Sequence, residues 1–193
     1  MLKKLLLLSF MLSLLMQSQF LWGENYNFRY TSWGMSQEAV IDSEEKIDPV
    51  EKTDNLIKYK TQILGKNVEL IYLFAQNKLI GSSYRLDENY IVSQRFIRTY
   101  KRFKQALMEK YGQPEKETTS WLNDTYKNDR NKWGLALSLG HIVYAALWNT
   151  PNATIECSLR GEDFYILCLV EYKSKDFSHL FDEINKEDKL DPF

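Results

Sequence analysis

The sequence predicts an α+β fold: an antiparallel sheet of about six strands from two tandem α-βββ units, with helices packed on one face. Three observations carry that expectation. Strand-like runs come in two groups of three, over 56–64, 68–74 and 79–86 and again over 142–148, 153–159 and 164–172. Short polar turns such as Gly65-Lys66-Asn67 and Gln76-Asn77-Lys78 join the runs in the manner of antiparallel hairpins. Between the two groups lies an amphipathic helical segment. The similar meander lengths read as an internal duplication, carried by the order of elements and not by shared residues. A chain of 193 residues with 44% hydrophobic and 14% aromatic residues and a net charge of −1 has enough apolar surface for a dense core, which excludes wholesale disorder. Its near-neutral balance argues against a nucleic-acid binder.

The first element is a leader. Lys3 and Lys4 form a positive start, and the Leu-rich run from Leu5 to Met16 is broken by Gln17, Ser18 and Gln19 before the length of about 18 apolar residues that a membrane span needs. This pattern predicts a signal peptide over 1–23 with cleavage after Gly23, and an exported, periplasmic or extracellular protein; a retained membrane anchor is the alternative. No cysteine lies in 1–23, so a lipoprotein anchor is not expected. The remaining chain divides into a first helix-plus-three-strand unit over 24–90, a second over 91–173, and a C-terminal helix and tail over 174–193.

In the first unit Ser36 is placed to cap a short helix that runs to about Glu45, and Glu38 suits its positive end. Pro49 and the charged run over 42–54 make a polar connection to the first strands. The longest helix is expected from near Ile91 to Gly112, with Phe96, Tyr100, Phe103, Leu107 and Tyr111 on one stripe; Gly112 ends it and Pro114 forbids continuation. Residues 128–140 read as a second, shorter helix with Trp133, Ala136 and Leu137 inward, or as a strand over 135–139. Leu180, Phe181 and Ile184 recur at helical spacing in the tail.

Two cysteines, Cys157 and Cys168, flank the turn signal at 160–163 and fall on facing strands of one hairpin. If Gly161 opposes Phe164 they lie directly opposite and a disulfide fits. If Arg160 opposes Asp163 they are diagonal neighbours, too far apart for a relaxed bridge, and act as two small core residues. Their spacing fits neither a redox pair nor a zinc site.

Trp33-Gly34-Met35-Ser36 followed by Glu38 and Val40, and Lys110-Tyr111-Gly112-Gln113-Pro114 before a new set of strands, resemble the BamE-like (SmpA/OmlA) family of exported proteins. The tandem arrangement is also similar in architecture to the β-lactamase inhibitory proteins. The resemblance implies a fold of helices on an antiparallel sheet and an envelope location.

Enzymatic motifs are missing from the sequence: no nucleophile elbow, no zinc-protease helix, no phosphate-cradling glycine loop and no dinucleotide fingerprint occur. No catalytic, cofactor-binding or metal-ligating residue is therefore assigned. His141 follows Gly140 at an expected helix end, where a cap or core role is the simplest account; a hydrolase would need it buried beside a nucleophile. His179 lies in the tail. The tryptophans Trp33, Trp121, Trp133 and Trp148 would either line a groove or fill the core.

The most distinctive surface feature is the outer side of the long helix, where Arg95, Arg98, Lys101, Arg102, Lys104 and Lys110 stand against the single acid Glu109. The first five form a candidate surface for an anionic partner; a solvated face, or one paired with the acidic stretch 42–51, is the plainer account. The leading functional expectation is a non-enzymatic exported scaffold that binds an unidentified envelope protein. The alternative is an envelope module binding anionic lipid or polymer through the basic helix 95–110. An unrecognised hydrolase ranks third.

Overall fold

The computed structural model describes residues 26–181. The expected leader over 1–23 and the tail residue Ile184 lie outside the described residues.

The sheet corrects the sequence expectation. Instead of six strands from two tandem units, the chain forms one antiparallel sheet of eight strands. In chain order the elements are α1 (Gln37–Ser43), β1 (Glu51–Lys52), β2 (Leu56–Ile63), β3 (Lys66–Ala75), β4 (Lys78–Leu86) and α2 (Gln94–Tyr111). They continue with β5 (Lys116–Trp121), a 3-10 turn (Arg130–Lys132), α3 (Trp133–Ser138), β6 (Ile142–Asn149), β7 (Ala153–Glu162) and β8 (Tyr165–Ser174). The strand order across the sheet is β1-β2-β3-β4-β8-β7-β6-β5. The two strands missing from the expectation, β1 and β5, are the edges. An edge strand is wet along one side and needs no apolar alternation, and Glu51-Lys52 and the polar run from Lys116 to Ser120 show none. The two groups are not separate units, because β4 and β8 pair antiparallel from Gly81↔Lys173 to Arg85↔Leu169 and a single buried cluster spans both sides of that seam.

Alternation sets which side chains enter that cluster. Ile57 and Tyr59 of β2, Leu70, Tyr72 and Phe74 of β3, Ile155 and Cys157 of β7, and Val170 of β8 are all buried on one face. Tyr100, Phe103 and Leu107 from the predicted stripe of α2 cover it, with half-buried Phe96 and Tyr111 at the ends of the stripe. Full burial of each large side chain of this kind contributes about 1.5–3 kcal/mol. The helix starts later than expected, at Gln94, leaving Ile91 and Val92 in the connection. Ser36 caps α1 as predicted, its hydroxyl accepting from the amide of Ala39 at 3.3 Å. The segment over 128–140 is helical, as the 3-10 turn and α3.

On the opposite face Ala75, Ile80 and Leu180 form a second, smaller cluster with Leu73, Phe177 and Phe181. The chain turns helical again at 178–181 and crosses β4 so closely that a methyl group on Gly81 would lie 2.8 Å from the Phe181 ring. Gly161 answers an even closer approach: a side chain there would meet the Leu137 carbonyl of α3 at 2.0 Å, so only glycine lets α3 rest on β7.

A candidate anion-binding cleft

Arg95, Arg98 and Arg102 recur at intervals of three and four residues, which brings them to one side of α2. Tyr90, in the β4–α2 connection, lies beneath them, with its hydroxyl 3.1 Å from the Thr99 hydroxyl. The Arg95 guanidinium carbon is 4.7 Å from the centre of the Tyr90 ring. Lys66, the first residue of β3, places its Nζ 5.4 Å from that ring centre. The electron-rich ring attracts both cations. Lys66, Tyr90, Arg95, Arg98, Thr99 and Arg102 enclose an open cleft of about 270 Å³.

No carboxylate among the described residues forms an ion pair with any of these four cations. The acidic stretch 42–51 does not serve them: Glu44 pairs with Arg29, and Glu51 with Lys58. A cleft walled by one sign of charge raises the local concentration of anions. Three guanidinium forks suit the bidentate recognition of phosphate, sulfate or carboxylate groups.

Of the five residues expected to form the anionic-partner surface, the structure brings three into the cleft. Lys101 is exposed on α2 outside it. Lys104 is held by Glu117 of β5 at 2.5 Å. Lys66 and Tyr90 were missed because they belong to other elements. In sequence Lys66 counted only as a turn residue, and its one signal was that it is the charged member of Gly65-Lys66-Asn67.

Tyr90 also walls a second cavity of about 350 Å³, reaching from Arg85, Asp87 and Asn89 to Phe96, to Phe164 of the β7–β8 turn and to Tyr165 at the start of β8. A third, of about 290 Å³, lies beside a different kind of charged site. There the carboxylate of Glu44, with its side chain 2% exposed, accepts from Arg29 Nε at 2.6 Å and Nη2 at 2.7 Å and from the Tyr72 hydroxyl. Burial, followed by the Glu44 hydrogen bond, raises the pKa of Tyr72, and the Glu44 contact holds the Arg29 guanidinium in its charged form. These charges satisfy one another.

The cysteine register is neither of the two considered. Leu159 opposes Cys168 and Cys157 opposes Val170, so the thiols are diagonal neighbours, and both are free and buried. The two-residue turn at Asp163 and Phe164 sets this register. Burial raises both thiol pKa values, that of Cys168 to about 12. His141 stacks on Tyr126 with ring centres 5.7 Å apart, and its Nδ1 has no hydrogen-bond partner among the described residues. Trp148 is buried and donates to the Gly112 carbonyl, while Trp121 and Trp133 pack edge to face. The tryptophans therefore contribute to packing, with Trp33, Trp121 and Trp133 against the same core cluster that holds Trp148. Comparison with protein-family models, curated proteins and solved structures returns no match.

Proposed function

We propose that this is a non-enzymatic exported binding protein that holds its partner through an anionic group seated over Tyr90. The observation that carries the reading is the gathering of Lys66, Arg95, Arg98 and Arg102 around one cleft, the first two against the Tyr90 ring, with no ion-paired carboxylate among the described residues. Like charges gathered without a counter-ion repel one another, and a bound anion relieves that repulsion. The basic start and apolar run over 1–23 support export, and the likeness of 33–36 and 110–114 to an envelope family supports the same compartment. Between the two binding roles expected from the sequence, the cleft favours the anion-binding module over the general scaffold, because it concentrates recognition chemistry at one place.

Inorganic polyphosphate, titrated calorimetrically at low and moderate salt, tests the reading. Binding should weaken as salt rises and fall at least tenfold in Arg98→Gln/Arg102→Gln. Salt-insensitive binding, or equal affinity of the double variant, would overturn it.

A further inference from the structure

The end of the sheet that carries the cleft also holds apolar side chains out in water. The β2–β3 turn, the β4–α2 connection and the β7–β8 turn all lie there. The Asp87 amide donates to the Asn67 carbonyl, and the pairing of Arg85 with Leu169 aligns the end of β4 with the start of β8. On these connections and at the first residue of β8 stand Leu64, Ile91, Val92, Phe164 and Tyr165, five of the ten exposed large apolar side chains among the described residues. Ile91 is 99% exposed and Phe164 70%. Phe164 is also held in the left-handed region at φ 67°, a conformation that bulky residues rarely adopt, so the turn spends backbone strain on keeping an aromatic ring outside the core.

We propose that this end is a docking face for an anionic phospholipid bilayer, with the turn residues entering the acyl boundary while the cleft cations hold headgroup phosphates. The inference rests on the anion-binding reading and adds to it the apolar half of the contact. A soluble polyanion would need only the cleft. Separate apolar tips on three turns beside a cationic cleft match the two-part chemistry of a bilayer surface, where apolar insertion and attraction to anionic lipid act together. The acids at this end are accounted for in part: Asp87 pairs with Lys60 at 3.2 Å, and Glu88 accepts from the Asn67 amide at 2.8 Å. Glu162 and Asp163 stand exposed beside Phe164 with no ion pair among the described residues, and they oppose docking.

The test uses the exported form expected to begin at residue 24, so that the apolar leader does not itself bind lipid. Sedimentation with vesicles of phosphatidylglycerol and phosphatidylcholine is compared with pure phosphatidylcholine and, in parallel, with polyphosphate binding. The chain should bind the anionic vesicles in a salt-sensitive manner. Ile91→Ser/Phe164→Asn, which keeps a residue tolerant of the left-handed turn, should lose vesicle binding at least tenfold while binding polyphosphate as before; that retained binding shows the variant is folded. Glu162→Gln/Asp163→Asn should bind vesicles several-fold more tightly. Polyphosphate binding without vesicle binding would overturn the bilayer proposal and leave the anion-binding reading standing, as would vesicle binding untouched by the apolar double variant. Loss of both kinds of binding in the unmodified chain would overturn the two together.

Discussion

Arg29 and Arg95 of α2 both sit against aromatic rings, yet their surroundings differ in sign. At Arg29 the guanidinium meets a buried carboxylate, and the tyrosine hydroxyl beside it donates to the same group. At Tyr90, Lys66, Arg98 and Arg102 line the same cleft as Arg95, and no carboxylate among the described residues pairs with them. The first arrangement ties α1 and the N-terminal turn to β3 and leaves no charge to recruit a ligand. The second adds like-charge repulsion to the folded state. An arginine's role is thus read from its counter-ion, and local charge density alone does not distinguish the two sites.

Glu44 is the residue on which the Arg29 site depends most. Glu44→Ala leaves the Arg29 charge and the Tyr72 hydroxyl without their partner, and urea unfolding should show a loss of about 3 kcal/mol, the lower part of the range for breaking a buried pair because Arg29 is partly exposed. A loss below about 1 kcal/mol would place this pair with ordinary surface pairs.

Alkaline pH should act on the buried core and leave the cleft out of the account. Tyr59 and Cys168 have folded pKa values raised to about 12 by burial, and Tyr72 is raised as well. Groups raised in this way favour the folded state below their unfolded values, about 9 for the thiol and 10 for tyrosine. That contribution is lost as pH climbs from those values towards 12. Thermal midpoints should therefore fall from about pH 9 upward, with the same profile in Arg98→Gln/Arg102→Gln. The same burial predicts that Cys157 and Cys168 resist alkylation until the chain is unfolded, as mass measurement would show.

Lys104→Gln separates a paired cation from the free ones on the same helix. Removing its contact with Glu117 should cost about 0.5 kcal/mol by denaturant unfolding and leave polyphosphate affinity unchanged. The smallest effect has the opposite sign. Arg98 and Arg102 are like charges four residues apart on a helix, so Arg98→Gln/Arg102→Gln should gain about 0.2–0.5 kcal/mol while losing binding. A destabilised double variant would show that these arginines serve the fold.

Elements that bury a face were legible in the sequence, and those that do not were not. The capped start of α1, the strands around Tyr59, Tyr72 and Ile155 and the stripe of α2 all follow from apolar periodicity. β1 and β5 escaped because an edge strand needs only one neighbour, and missing β5 concealed Glu117, the partner that removes Lys104 from the candidate surface. Half of the cleft was visible, since three arginines at helical spacing announce a common side. Lys66 and Tyr90 join them only through tertiary structure: a turn at one end of the sheet and a connection packed under α2. The cysteine register depended on which residues form a two-residue turn, and the sequence offered Gly161 as its glycine when that residue is held in β7 by the approach of α3.

The seam between β4 and β8 has a consequence for how the chain reaches its native state. Gly81 and Lys173 pair although they are about 90 residues apart, so the centre of the sheet is its least local contact and closes only after a long loop has been ordered. Until β8 has been synthesised, β4 is a bare edge whose unpaired amides and carbonyls invite another copy of the same chain. Closure of the seam covers that edge of β4, and Phe181, which follows β8 in sequence, lies against Gly81.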